Sequence, residues 1–209
     1  MIRVSNASVC AMEFTSFKKK TEVSDDELLF AVLRFERQLT QVEGIVYQCL
    51  VRNYDNEYAN VLFATSMETI KSLEAVIGNT KETQDFFSMV EMNSVQVEYH
   101  EINKPDFALP EYFGCIEKGK FSLKDSNQQT ALLLASDAVE DTYLNQYENT
   151  KGHFISRRDE NQYAEIVLGQ TLGSTKEICY GYFENIACLS LLDLIDESSM
   201  NLGFWYVVG

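Results

Sequence analysis

An internal repeat constrains the fold of this chain more than any other feature, because residues 58–102 return without a gap as residues 163–207. The apolar residues of the two copies have largely the same spacing. Identical residues at aligned positions include Tyr58 and Tyr163, Lys71 and Lys176, and Ser94 and Ser199. The chain has 209 residues, enough for two units of about 100 residues that each bury a core. The repeat therefore predicts two similar units.

Unit one, predicted over residues 1–104, has the residue patterns of four strands and two helical regions. Apolar and β-branched residues predict strands at 9–19, 45–52, 58–64 and 95–102. Ser24 with Glu27, and Thr65 with Glu68, have the spacing of capping boxes, so a helix is expected to begin at each pair. The resulting order, β-α-β-β-α-β, is the ferredoxin-like arrangement.

Unit two, predicted over residues 113–209, repeats this order after a linker at 105–112. The linker contains Pro105 and Pro110, the only prolines of the chain, and proline continues neither a helix nor the interior of a sheet. The strands of unit two are predicted at 115–123, 154–158, 163–168 and 200–208. Its second helical region is predicted at 175–194. The fold class expected from the sequence is α+β, a tandem duplication of a ferredoxin-like unit.

The charge of the chain disfavours two classes of partner. Seventeen Lys and Arg residues against thirty-two Asp and Glu residues give a formal net charge of -15. Most faces of such a protein repel phosphate, so nucleic acid and anionic membranes are not expected as partners. No apolar run has the length of a membrane span, and the N-terminal residues lack the pattern of a signal peptide. The expected location is cytoplasmic.

The cysteines predict free thiols in a reducing compartment. Their number is odd, and no two of them have the C-x-x-C spacing of a zinc or redox site. The five are Cys10, Cys49, Cys115, Cys179 and Cys188. Two histidines in different units, without H-x-x-x-H or H-x-H spacing, give no metal-site motif either. We expect no metal.

Two short motifs resemble a known family. The strand pair of unit one ends in a Ser-Met-Glu helix start at residues 66–68, and a tail at residues 86–99 reads F-F-x-M-V followed by spaced Ser, Val and Tyr. These motifs resemble the antibiotic biosynthesis monooxygenase-like proteins of the dimeric α+β barrel superfamily. The resemblance implies that the two sheets pack as an internal dimeric α/β barrel with helices outside. The protein would then be a monomer, as an internal pseudo-dimer, or a homodimer.

The resemblance also implies a range of activities. Members of the family include cofactor-free oxygenases of polycyclic phenols or quinols, haem-degrading oxygenases, isomerases and proteins without known chemistry. The haem-degrading members have a W-x-S pattern at the second helix, where this chain has 64–66 (ATS) and 169–171 (GQT). The tryptophan is absent in both units, and no histidine lies in either second helical region. With no phosphate-binding or dinucleotide motif present, we expect no cofactor.

Two residues of unit one are candidates for proton transfer. His100 lies between a tyrosine and a glutamate on the last strand, and an imidazole has a pKa near working pH. Glu13 lies in an apolar run, where an inward carboxylate is costly unless it is used or paired. The alternatives are that His100 is a solvent-edge or inter-unit packing residue, and that Glu13 faces outward or pairs with Lys118 of unit two.

Six aromatic or sulfur-containing residues are candidates for binding a ligand. Tyr58 and Tyr163 repeat at the start of equivalent strands, and Trp205 occupies the position of His100 in unit two. The candidate residues are Tyr58, Met12, Phe14, Phe86, Tyr163 and Trp205. Such residues also fill ordinary cores. His153, at a predicted strand start, is expected to be exposed.

The sequence thus leaves two functions open. The first is a small-molecule enzyme or binder, with an apolar or aromatic ligand held between the sheet and the helices of one unit and oxygenated without a cofactor. The second is a non-catalytic duplicated barrel with a regulatory, ligand-binding or assembly role. The first is the leading hypothesis, and the second is its alternative. The absence of matched polar residues in the two copies supports the alternative, because neither histidine has a counterpart in the other copy.

Overall fold

The computed structural model describes residues 1–209 and divides them into two compact units. Unit one comprises Met1–Glu101, Pro105–Leu109 and Val207–Gly209, and unit two comprises Ile102–Lys104 and Pro110–Tyr206. Each unit has its own hydrophobic core between a sheet and its helices. The two ends of the segment around Pro105 and Pro110 therefore belong to different units.

Unit one has a five-stranded antiparallel sheet in the order β1-β3-β4-β2-β5. Its elements are β1 (Ile2–Arg3), β2 (Ala11–Phe17), α1 (Asp25–Leu39), β3 (Ile45–Arg52), β4 (Tyr58–Ala64), α2 (Met67–Ile77), α3 (Lys81–Ser88) and β5 (Gln96–Ile102). Apart from the short β1, this is the predicted β-α-β-β-α-β order, with the second helical region in two pieces.

Unit two has a four-stranded antiparallel sheet in the order β7-β8-β6-β9. Its elements are β6 (Cys115–Ser122), α4 (Gln129–Thr142), β7 (Thr150–Asp159), β8 (Gln162–Gly169), α5 (Leu172–Tyr180), α6 (Ile186–Leu192) and β9 (Asn201–Val207). In the gap-free alignment, the first residues of α2, α3 and β5 align with the first residues of α5, α6 and β9. The predicted α+β fold class, with two ferredoxin-like units in tandem, is confirmed.

Helix α1 begins at the predicted capping box. The hydroxyl of Ser24 accepts from the backbone N–H of Glu27 at 3.2 Å, and the Glu27 carboxylate accepts from the backbone N–H of Ser24 at 2.8 Å. The second predicted box was wrong. Ser66, and not Thr65, caps α2, because its hydroxyl accepts from the backbone N–H of Thr69 at 3.1 Å.

The second helical region of unit two is interrupted. A 3-10 turn at Gly181–Glu184 separates α5 from α6. A Cβ atom at Gly181 would lie 2.1 Å from the hydroxyl oxygen of Tyr143, which donates to the carbonyl of Ile178 at 2.7 Å. Glycine is therefore needed at this close approach.

The cysteines are unpaired in the structure, as predicted. All five cysteines are free, and Cys49, Cys115 and Cys188 are buried. None of the helices combines the length and the apolar character needed to cross a bilayer.

Candidate functional site

A cavity of about 360 Å³ lies in unit one between the sheet and the helices α2 and α3. This volume is within the range of small-molecule sites, which are mostly apolar with a few polar groups. The helices contribute apolar side chains that include Ile70, Leu73, Ile77 and Phe86. The sheet contributes Glu13, Thr15, Asn60, Leu62 and Tyr99. An apolar ligand with one or two polar groups would fit these walls.

Strand alternation directs Glu13 into this cavity. Glu13 lies opposite Leu62 on β4 and opposite Tyr99 on β5, and all three line the cavity. Burial raises the pKa of the Glu13 carboxyl above its ordinary value of 4.5, although the Thr15 hydroxyl, which donates to Oε1 at 2.7 Å, opposes this rise. A carboxyl with a raised pKa in an apolar pocket is suited to proton transfer.

Asn60 supplies a second polar group to the cavity. It lies opposite Thr15, is almost fully buried, and its Oδ1 accepts from Nε2 of Gln48 at 2.8 Å. Because its oxygen is engaged, the amide nitrogen is the part of Asn60 that can donate to a ligand. Asn60 was not predicted as a site residue. The sequence feature that could have indicated it is a polar residue within the otherwise apolar strand at residues 58–64.

The structure brings only two of the predicted site residues to this cavity, Glu13 and Phe86. Met12 and Phe14 alternate with Glu13 along β2, so they lie on the other face of the sheet and are fully buried there. His100 lies opposite Met12 on that same face. Met12, Phe14 and His100 therefore do not line this cavity.

His100 and Glu13 do not share a site. His100 is fully buried, so the alternative of a solvent-edge residue was wrong. Its Nε2 lies 3.7 Å from a carboxylate oxygen of Glu98, which faces the same way along β5. Of the two candidates for proton transfer, Glu13 lines the cavity of unit one and His100 does not.

The predicted tyrosines have other partners. The hydroxyl of Tyr58 donates to Oδ1 of Asp25 at 2.9 Å, and its ring stacks on Phe17, so Tyr58 connects β4 to the start of α1. This hydrogen bond is the main cause of the lowered pKa of Asp25. Tyr163 stacks on Phe121 within the core of unit two.

Trp205 lies away from the helix-facing side of unit two. It is opposite Ile116, whereas the neighbouring Phe204 is opposite Glu117 and receives the ammonium of Lys176 over its ring at 5.1 Å. Trp205 is buried, at 6% exposure. Neither Trp205 nor Tyr163 lines the cavity of unit one.

Unit two contains a buried network of charged side chains. His153 is 1% exposed, with Nδ1 at 3.1 Å from Glu140 and Nε2 at 2.9 Å from Glu165. The Lys104 ammonium donates to Glu140 at 2.6 Å, and the Tyr182 hydroxyl donates to Glu165 at 3.0 Å. The prediction that His153 is exposed was wrong, because β7 begins several residues before the predicted strand and carries the ring inside.

The network holds its histidine in the charged form. Burial opposes that form, but hydrogen bonds to Glu140 and Glu165 outweigh it and raise the pKa of His153 to about 9. Burial also opposes the charge of Glu140, but hydrogen bonds from His153 and Lys104 lower its pKa to about 2. The positive charges of Lys104 and His153 thus lie against the carboxylates of Glu140 and Glu165. No group of three or more His, Cys, Asp or Glu side chains is arranged to hold a metal ion.

Strand register identifies Glu117 as the counterpart of Glu13. Glu13 lies opposite Leu62, Glu117 lies opposite Val167, and these partners are aligned positions of the repeat. The pKa of Glu117 is raised to about 8, mainly by burial and secondly by the charge of Glu165. Lys118 points to the opposite face from Glu117. Lys118 is therefore not the counterpart of Glu13, which faces the cavity of its own unit.

The hydrogen bond beside the cavity also has a counterpart in unit two. Gln48 lies opposite Leu62 as His153 lies opposite Val167, so these two residues are equivalent. Asn60 aligns with Glu165. The neutral pair Gln48 and Asn60 in unit one thus corresponds to the ionised pair His153 and Glu165 in unit two.

The network predicts that the protein becomes less stable as the pH rises above neutrality. The folded-state pKa of His153, about 9, lies above the ordinary 6.5, so its stabilisation is complete below 6.5 and is lost as the pH rises through 9. The pKa of Glu117 is also raised, so this carboxyl likewise lowers the stability as the pH rises to about 8. We expect the melting temperature to fall on the order of 5–10 °C between pH 6 and pH 10.

Differential scanning calorimetry in matched ionic strength would measure this fall. The control is the double variant His153→Gln with Glu165→Asn, which gives unit two the neutral pair of unit one and is expected to show a smaller fall. An equal fall in both proteins would mean that the histidine is not the group that titrates.

Comparison with known proteins supports the fold. No protein-family model and no curated protein matches the sequence. A candidate monooxygenase from Fusobacterium nucleatum matches with a TM-score of 0.68 and 11% identity, over 97% of this chain and 94% of that chain. An anthrone oxidase-like protein matches with a TM-score of 0.61 and 11% identity, over 100% of this chain and 94% of that chain.

A third structure carries the family name that the motifs suggested. A ferredoxin-fold protein from Listeria monocytogenes, related to antibiotic biosynthesis monooxygenases, matches with a TM-score of 0.53 and 9% identity, over 96% of each chain. At such identities the likeness concerns the fold. The chain thus has the fold that the resemblance predicted, across nearly its whole length.

Proposed function

We propose that unit one binds a small, mainly apolar aromatic molecule with a weakly acidic group, and that Glu13 accepts the proton of that group. One observation carries this proposal. The Glu13 carboxyl, with its raised pKa, lies at the wall of a cavity of about 360 Å³ whose other walls are mostly apolar. A general base works best when its pKa is close to the working pH.

The residues around Glu13 support the same role. The Thr15 hydroxyl donates to one carboxylate oxygen of Glu13 and fixes its orientation, which leaves the other oxygen for a ligand. Asn60, on the neighbouring strand, offers an amide N–H to an oxygen on which negative charge develops during deprotonation. Glu13 is the base in this proposal, Asn60 stabilises the anion, and Thr15 positions the base.

The proposed reaction is an oxygenation without a cofactor. Removal of the proton from the hydroxyl (enol) tautomer of an aryl-activated CH₂ compound gives a resonance-stabilised anion whose carbon reacts directly with dioxygen. The balance is one CH₂ group plus one O₂ to one carbonyl group plus one water, so carbon supplies all four electrons that oxygen accepts. The fold shared with proteins named monooxygenase and anthrone oxidase-like is consistent with this reaction class.

The proposal predicts a preference for hydroxylated aromatic ligands. We expect 1-naphthol to bind roughly 10- to 100-fold more tightly than naphthalene, because its hydroxyl donates to the Glu13 carboxyl in a site otherwise able to hold either molecule. Fluorescence titration of both compounds at pH 7 would measure the difference.

The variant Glu13→Leu is the control for this preference. It replaces the carboxyl by an apolar side chain of similar length, so naphthalene should still bind and the advantage of 1-naphthol should disappear. Equal affinities of the two compounds for the unmodified protein would contradict the proposal.

A further inference from the structure

The first observation concerns two positions that face each other across the cavity. In unit one, Ile77 on α2 and Asn60 on β4 both line the open space. The aligned residues of unit two are Tyr182 and Glu165. Here the two side chains meet, since the Tyr182 hydroxyl donates to Oε1 of Glu165 at 3.0 Å. The Tyr182 side chain therefore crosses the region that is open in unit one.

A second pair of positions gives the same result. Glu13 and Glu74 line the cavity of unit one. Their counterparts in unit two, Glu117 and Cys179, lie close enough for each to shift the pKa of the other. The opposite walls of the unit-one cavity thus approach each other at a second pair of positions in unit two.

The filling side chain is itself held in place. The Tyr182 ring is 5% exposed and packs edge-on against the ring of Tyr143, with 5.5 Å between centroids. Its hydroxyl shares Oε1 of Glu165 with Nε2 of His153, so the charged network also fixes the phenol. Removing the hydroxyl or the ring would leave a buried carboxylate without one of its partners.

We propose that unit two is a copy of the unit-one binding site that is closed by its own Tyr182, so that residue 182, and Ile77 at the same position in unit one, decides which unit takes a ligand. The phenol of Tyr182 occupies the place of the ligand and donates to a buried carboxylate, as the ligand does in unit one. The equivalent of the unit-one cavity is therefore filled in unit two, and an opened unit two would take a hydroxylated aromatic ring. This inference rests on the proposed function only in placing the ligand in the cavity of unit one.

Exchange of the two residues tests the proposal. The probe is 4-fluorophenol, a single hydroxylated ring whose bound forms are counted as separate ¹⁹F NMR resonances. We expect one bound resonance for the unmodified protein, none for Ile77→Tyr and two for Tyr182→Ala. Fluorobenzene, which lacks the hydroxyl, should give a weaker second site or none, because it cannot donate to Glu165.

The outcomes separate this inference from the proposed function. If Ile77→Tyr binds the probe as the unmodified protein does, the ligand is not in the unit-one cavity and the proposed function fails. If Ile77→Tyr loses binding but Tyr182→Ala shows no second resonance, the inference is overturned while the proposed function stands. Should Tyr182→Ala not fold, Tyr182→Ile carries the unit-one residue with less lost packing, and a single bound resonance there equally overturns the inference.

Discussion

Replacing His153 by alanine is expected to destabilise the protein by about 3–5 kcal/mol, the cost of leaving buried charges without their partner. His153 lies between Glu140 and Glu165, and its ring nitrogens are 3.1 and 2.9 Å from their carboxylates. Lys104 donates to Glu140, whereas Glu165 has the His153 ring as its partner and would lose it in this variant. Urea unfolding followed by circular dichroism would measure the loss, and amide hydrogen exchange would show whether it is confined to unit two.

The pair at the same positions of unit one provides a matched control. Gln48→Ala removes the equivalent side chain from a neutral hydrogen bond with Asn60, and should cost about 1–3 kcal/mol. The double variant His153→Gln with Glu165→Asn removes both charges together, so it should cost less than His153→Ala alone. A loss below about 1 kcal/mol for His153→Ala would show that the network is not a buried ionic one.

The fold could be predicted because its signals are local and occur twice. Apolar spacing fixes which face of an element is buried, and the second copy confirmed the order of elements found in the first. Helix α1 was predicted to begin at Ser24, where a single hydroxyl residue precedes the acidic turn. At α2, Thr65 and Ser66 are both able to cap, and the sequence does not show which of them leaves the strand.

The candidate site could be predicted only in part. Glu13 was found because a carboxylate in an apolar strand is conspicuous, but the strand pattern does not show which helix covers that face. The partners of His153 come from a helix, a neighbouring strand and the residues that follow β5, and no spacing rule joins such elements. Its exposure was mispredicted because the strand start was placed too late, at residue 154.

A signal for the network was nevertheless present in the repeat. Identical and apolar residues of the two copies align in the sequence, whereas the polar residues there do not match by identity. The structure shows that they match by position and not by identity, since Gln48 and Asn60 are equivalent to His153 and Glu165. Polar residues at aligned buried strand positions mark a shared polar layer, because burial of each requires a partner.

Both units have a buried carboxyl beside the shared polar layer, Glu13 in unit one and Glu117 in unit two. The variant Glu13→Gln tests whether Glu13 is the general base. We expect this variant to lose turnover by about 10²- to 10⁴-fold, the usual contribution of a general base, while it still binds 1-naphthol, since the amide is close to the carboxyl in size. The matched control is Glu117→Gln in unit two, which should keep turnover because the Glu117 carboxyl is buried, at 4% exposure, in the unit where Tyr182 fills the equivalent of the cavity.

Oxygen uptake with a hydroxylated aromatic CH₂ compound, followed without added cofactor, would measure turnover in all three proteins. In the unmodified protein kcat should rise with pH through the raised pKa of Glu13, because only the ionised carboxyl accepts a proton, and this rise should be absent in Glu13→Gln. An unchanged rate in Glu13→Gln, or an equal loss in Glu117→Gln, would place proton transfer elsewhere. Tight binding of these compounds without oxygen uptake would instead make unit one a binding module, because a buried carboxyl in an apolar cavity recognises a hydroxyl whether or not a reaction follows.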